Sequence, residues 1–384
     1  MKTLITLFFS LLSLPLFAQT YRVTTTADSG AGSLRAAIAS VNASCASECA
    51  IELDLPAGSV IEPLTPLPEI TACAQVKIGT APVSRAGDRS IELSGTRQST
   101  GHGLVFRASC PTTPGLAPQL MIVGAAINRF PWNGVHVAAG NLYCLGCFIG
   151  TDVTGRQARP NAGRGISVDD ASSFVSVFES VLSGNGRSGV FAWNAREVHV
   201  DDSSVGTTPD GLPLPNGASG LFIRTGHLNV TDTTLGYIND FAIAVAGDAT
   251  MLSFRNRITG TGAQAIDYGL NGPTLHGGNM PDVPELFSAT YDAASGKTLI
   301  TGRVAITRPG AFRHLIELQV DGAGSLQIGN QLPLRTALGI YDFTLEYIGD
   351  LRGKVVTVTN NRGYDEQQFT PVETSEMSNA LVVR

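Results

Sequence analysis

Residues 150–168 read GTDVTGRQARPNAGRGISV, and residues 206–223 read GTTPDGLPLPNGASGLFI. Each is a Gly-Thr loop rich in turn formers that runs into a Gly followed by a short apolar strand. Working outward, the same Gly- or Ala-led strand recurs as Gly103-Leu-Val-Phe, Gly134-Val-His-Val, Gly165-Ile-Ser-Val, Gly189-Val-Phe-Ala, Gly220-Leu-Phe-Ile, Ala242-Ile-Ala-Val and Ala265-Ile-Asp-Tyr. The steps are 31, 31, 24, 31, 22 and 23 residues. The shorter step accommodates three short strands and three bends, one coil of a β-helix, and the longer step is the same coil carrying a loop. A second strand recurs within the coils, at Leu142, Val198 and Leu228. No coil of this size buries its apolar side alone; stacking on neighbours does so.

Side chains alternate along a strand, so the middle residues of the repeats point outward in a row at about 4.8 Å per coil. That row is expected to hold Val105, His136, Ser167, Phe191, Phe222, Ala244 and Asp267, and the next to hold Arg107, Ala138, Asp169, Trp193 and Arg224. A slip of one residue would turn every one of these over.

The composition fits the repeat. Forty-three Gly and twenty Pro, with many Val, Thr and Ser, suit short strands and tight turns. Residues 1–18 carry Lys2, an apolar run from Leu4 to Leu16 and a small-residue end at Ala18, the pattern of a secretory signal peptide. No later apolar run is long enough for a membrane span. A net charge of −6 with 15% charged residues gives no basis for a nucleic-acid partner. In an exported chain six cysteines favour disulfides, expected as 45–49, 73–110 and 144–147; a zinc site built from the C-x3-C and C-x2-C pairs is the alternative.

The N-terminal segment VTTTADSGAGSLRAAIASV (23–41) resembles the opening of bacterial exported right-handed β-helix repeat proteins, in the pectate-lyase-like superfamily. LTPLPEITACAQVKIGT (64–80), AAINRFPWNGVHV (125–137), FIGTDVTG (148–155), AIDYGLNG (265–272) and SEMSNALVV (375–383) are similar to later stations of that family. The resemblance implies the β-helix fold across nearly the whole mature chain and implies no particular activity. The residues agree at both ends. Ser33 is placed as an N-cap, with Leu34, Ala37, Ile38 and Val41 on one helical face that would cover the open first coil. After Tyr268 the coil pattern fades into a Gly/Pro-rich stretch, followed by alternating strands that suggest an immunoglobulin-like sandwich. The expected organisation is a signal peptide over 1–18, a right-handed parallel β-helix over 19–280 and a β-sandwich over 281–384.

Aromatic and charged residues on one outward face suit a sugar polymer, with aromatic planes against pyranose rings and charged groups on hydroxyls or carboxylates. Phe191, Trp193, Phe222 and Arg107 are the expected binding residues. The alternative is that loops 151–163 and 207–219 fold over these aromatics as local core. Catalysis is open. Asp169 and Asp267 lie four coils apart, roughly 19 Å, too far for a glycosidase pair. A lyase needs one base and a group to neutralise a uronate, for which His136, oriented by Asp169, and Arg107 or Arg224 are the candidates. Gly101-His102-Gly103 is similar to a tripeptide of β-helix polygalacturonases, but the aspartates that should accompany it are absent, and a turn is the plainer reading. No cofactor and no metal is implied. The expectation is a secreted or surface protein that binds an extracellular polysaccharide, with a polysaccharide lyase as the alternative, less so a glycoside hydrolase; the oligomeric state is open.

Overall fold

The computed structural model describes residues 19–80, 91–108, 110, 117–259, 265–269, 282–307, 312–320, 327–335, 338–363, 371–375 and 378–384. The signal peptide expected at 1–18 and the domain boundary expected at 280/281 lie outside them.

Three parallel sheets of nine, eight and seven strands wind together as a right-handed β-helix. Face 1 runs from Gln19–Val23 to Thr250–Phe254, face 2 from Val60–Ile61 to Arg257–Thr259, and face 3 from Leu104–Arg107 to Ile266–Tyr268. Inward residues such as Leu142, Ile149, Ile166, Val177, Val190 and Leu228 are fully buried and form one continuous core. The repeat read from the sequence is face 3, and the second recurrent strand is face 1.

The turn from face 1 to face 2 explains why coils can follow each other so tightly. One residue in left-handed conformation makes the bend: Gly124, Gly146, Glu179 (φ 47°), Asp202 (φ 44°), Asp232 (φ 48°) and Arg255 (φ 55°). For the non-glycine members this costs on the order of 1–2 kcal/mol each. The next residue offsets it. The Ser180 hydroxyl accepts from Cys147 N, Ser203 from Ser180 N, Thr233 from Ser203 N and the Asn256 side chain from Thr233 N. Backbone donors that a bend would strand are thereby satisfied coil by coil.

A second polar column runs between faces 2 and 3. Asn161 Nδ2 donates to Asn185 Oδ1 at 3.0 Å, and Asn185 Nδ2 to Asn216 Oδ1 at 3.1 Å. The same three amides donate to the carbonyls of Ile127, Ile149 and Leu182, where the chain leaves face 2. All three are essentially inaccessible, so the column is a closed hydrogen-bond network in apolar surroundings. Phe130 and Ile238, both buried, flank it.

The N-terminal cap is as expected. The helix Leu34–Ser44 begins at Ser33, whose side chain accepts from Ala36 N, and it buries Leu34, Ala37, Ile38 and Val41. Leu34 faces the same interior space as Leu53, Ile61, Ile78 and Ile91. Arg35 locks the cap in place, donating to the Asp28 side chain at 2.8 Å and to the carbonyls of Thr65 and Pro66. That guanidinium, with the backbone N–H of Leu64, holds the Asp28 carboxyl below its ordinary range.

Beyond the coils, a three-stranded antiparallel sheet (Glu285–Asp292, Lys297–Ile306, Gly339–Ile348) packs against a second sheet built on Phe312–Val320 and Val355–Gly363. With the strands lettered A, B, C, C′ (Gln327–Arg335), E, F and G (Pro371–Thr374) in chain order, the pairings are A–B–E and C′–C–F–G, with Leu381–Val382 also on F, an immunoglobulin-like arrangement. This sandwich abuts the last coil: Ser253 N donates to Thr374 Oγ1 at 2.8 Å and Tyr268 Oη to Thr374 O at 2.8 Å.

Two of the three expected disulfides are present, Cys45–Cys49 and Cys73–Cys110. The first removes the C-x3-C thiolates that the zinc alternative required. The third is a correction: Cys144 and Cys147 are free and buried. Cys144 is an inward core residue of face 1, while Cys147 occupies the polar corner column, its thiol 3.5 Å from Ile122 O. The Cys144 thiol is pushed well up by its hydrogen bond with Cys147 and by burial.

Candidate functional site

Face 3 carries the expected outward row in register. Val105 pairs with His136, His136 with Ser167, Ser167 with Phe191, Phe191 with Phe222, Phe222 with Ala244, and Ala244 with Asp267. The second row needs correcting. Bulges between Phe106 and Arg107 and between Val168 and Asp169 shift the register, so Arg107 aligns with Ala139 and Asp169 with Asn194. A bulge inserts one residue and re-aims those after it.

The row divides into two groups. Towards the C-terminal coils, Phe191 and Phe222 stack with centroids 4.5 Å apart and planes 9° from parallel. Trp193 lies parallel to both, at 6.0 and 6.4 Å. The Arg164 guanidinium sits 3.6 Å from the Phe191 centroid and that of Arg224 sits 4.5 Å from Trp193. The Phe191–Phe222 separation is close to the coil spacing of about 4.8 Å, so the rings stack along the helix axis and turn their edges outward. Trp193 is 44% exposed, while Phe191 and Phe222 are half-buried. Val153 of loop 151–163 packs on face 2, against Phe148, Ala126 and Val181.

The other group lies towards the N-terminal coils. His136 Nδ1 is 3.7 Å from Asp169 Oδ2, beyond hydrogen-bond distance, and this buried nitrogen has no hydrogen-bond partner among the described residues. The His136 ring stacks on that of His102 at 4.7 Å, and His102 meets the exposed Trp132 edge-on at 5.0 Å. His102 Nδ1 accepts from Asn133 N, which fixes its orientation. Burial, with the neighbouring His136, lowers His102 to about 4. Burial also lowers His136, against the opposing pull of Asp169. Both imidazoles are neutral at neutral pH and can accept a proton.

The remaining candidates lie apart from His136. Arg107 is held by Glu69, with Nε 2.7 Å from Oε2. The Arg224 strand is three strands from that of His136, roughly 14 Å. Asp267 is fully buried. His102, Trp132 and Arg164 are additions that the sequence reading did not place here. For two of them the signal was position: His102 and Arg164 both immediately precede the glycine that opens a face-3 strand.

Fold and face together define a parallel β-helix protein with an aromatic and cationic outer sheet. The sequence matches no family model and no curated protein. Among solved structures it resembles the enzymatically active domain of bacteriophage CBA120 tailspike protein 4, with 10% identity and a TM-score of 0.19. That alignment covers 83% of this chain and spans 62% of the tailspike chain, and at this level of likeness it carries no functional argument.

Proposed function

We propose that the chain is an exported protein of the pectate-lyase-like β-helix group that binds an extracellular polysaccharide along face 3. The observation that carries this reading is the aromatic tier of Phe191, Trp193 and Phe222 with Arg164 and Arg224 laid on its rings. Exposed indole surface beside guanidinium donors is the pairing that sugar rings and their polar substituents require. A row of strands continuing past this tier suits a long ligand more than a monosaccharide. The two disulfides fit an oxidising compartment, and no helix among the described residues is long and apolar enough to cross a membrane. Titrating the mature protein with a panel of polysaccharides while following tryptophan fluorescence tests the reading. Binding that Trp193→Ala abolishes is expected; a panel that leaves the fluorescence unchanged refutes it.

One observation favours a second reading, a lyase acting on a uronate polymer. His136 presents a neutral ring beside Asp169 on the same face. Such a base removes the proton next to the uronate carboxylate; that C–H electron pair becomes a ring double bond as the glycosidic oxygen departs and takes a proton. The test is ultraviolet absorbance of unsaturated uronate ends, lost in His136→Ala. A new reducing end without that absorbance would mean hydrolysis instead.

A further inference from the structure

Several arginines of the coils are paired with carboxylates. Arg129 and Arg159 share Glu92, Arg107 takes Glu69, Arg156 takes Asp210 and Arg255 takes Asp232. Arg164, Arg187 and Arg224 have no carboxylate within 4.0 Å among the described residues. These three lie on or beside the aromatic tier.

Arg164 and Arg187 are brought together by the coil itself. Arg164 N donates to Asn133 Oδ1, Gly165 N to Ser188 O, and Arg187 N to Gly163 O. The two arginines therefore leave adjoining coils at the corner where the chain enters face 3. Arg164 is half-buried over Phe191, whereas Arg187 is exposed. Burial and the charge of Arg187 both work against the Arg164 cation, with only Asp169 favouring it. Neither guanidinium donates a hydrogen bond among the described residues. Holding two like charges together, one partly desolvated, is unfavourable until an anion arrives.

We propose that Arg164 and Arg187 form an oxyanion subsite, so that the polymer bound along face 3 is acidic. The anionic substituent sits between the two guanidiniums and its sugar ring lies against the Phe191 and Trp193 edge. This inference rests on the polysaccharide reading and narrows it to a substrate class. A uronate carboxylate and a sulfate ester share the chemistry the subsite recognises; the planar carboxylate matches a guanidinium fork with two parallel hydrogen bonds.

The test is binding of the mature protein to polygalacturonate, the same polymer fully methyl-esterified, a sulfated galactan and a neutral galactan, at low and high salt. Polygalacturonate is expected to bind at least about tenfold more tightly than its ester. Arg187→Gln is expected to remove roughly that preference and to leave affinity for the ester unchanged, and Arg164→Gln to remove the preference as well. Arg187 is exposed, so its variant reports on the subsite without risk to the fold, and Arg164→Lys retains charge while losing the fork. Tighter binding of sulfated galactan than of polygalacturonate assigns the oxyanion to sulfate. Equal affinity for acid and ester, or wild-type affinity in both Gln variants, overturns the subsite while the polysaccharide reading stands. No binding to any polymer overturns both.

Discussion

The imidazoles of His102 and His136 stack with centroids 4.7 Å apart and planes 14° from parallel. Two partly buried rings this close resist protonation together. His102, lowered to about 4, therefore stays neutral across ordinary pH, and His136 also titrates below 6.5. Asp169 favours the His136 cation, so Asp169→Asn is expected to move His136 further down; His136→Ala relieves His102, which is expected to rise towards 6.5. Proton NMR of the imidazoles against pH measures both. A His136 that titrates unchanged in Asp169→Asn would mean the two side chains do not interact. The pair also affects stability. Each folded-state value lies below the unfolded one, so stability is fully present above pH 6.5 and is lost as pH falls below it.

Asn185 holds the middle of the buried amide column. Replacing it by Leu takes away the Asn161 amide's acceptor and the side-chain donor to Asn216 Oδ1, and it leaves the Ile149 carbonyl with Ser183 N alone. The expected cost is about 3 kcal/mol, read from the midpoint of chemical unfolding. A loss below about 1 kcal/mol would show that the column is dispensable.

Glu317 is buried where the sandwich meets the last coil, accepting from Arg255 N and from Asn361 Nδ2, both at 2.8 Å. Burial raises its carboxyl to about 7 from 4.5, against the favourable pull of those two donors and of the Arg255 charge. The folded state thus holds its proton more tightly than the unfolded chain. Stability from this group is full below pH 4.5, declines as pH rises, and levels off above about 7. The total change is on the order of 3 kcal/mol. His314 nearby is lowered by burial and acts in the opposite sense, losing stability as pH falls below 6.5. Comparing wild type with Glu317→Gln by denaturant unfolding at pH 6 and pH 8 isolates the carboxyl. The variant is expected to gain relative to wild type at the higher pH; parallel behaviour at both would refute the assignment.

Cys144 and Cys147 are free and buried. Native protein is expected to be inert to a thiol reagent, and denatured, unreduced protein to react at both positions. Reactivity at neither position after denaturation would mean that the two are oxidised to each other.

Much of this was legible in the sequence because small residues, glycine in five face-3 strands and alanine in two, mark the register. The residue that opens each face-3 strand must pass close to its neighbours: a Cβ on Gly134 would come within 2.9 Å of the Gly165 carbonyl, and one on Gly165 within 2.5 Å of that of Gly189. Once those glycines set the phase, alternation alone placed His136, Ser167, Phe191 and Phe222 in one row. The second row was not legible, because bulges after Phe106 and Val168 come from backbone geometry that no residue type announces there. The His102 stack was missed for a different reason. His102 lies just ahead of its strand, where alternation makes no statement about direction, and only the neighbouring coil supplies the ring it meets. The face-on sugar platform was inferred from residue type alone; stacking between coils turned those rings edge-on.

The amide column has a consequence for how such a chain could change length. Asn161, Asn185 and Asn216 each stand four residues before the glycine of their coil, and apolar Phe130 and Ile238 close the series at either end. Duplicating a segment from one such asparagine to the next would bring its own donor and acceptor and slot into the column as a new rung. The same length of chain inserted without an asparagine in that place would cut the column in two. Growth of this body is therefore quantised, one coil at a time, and only by units that carry their own rung.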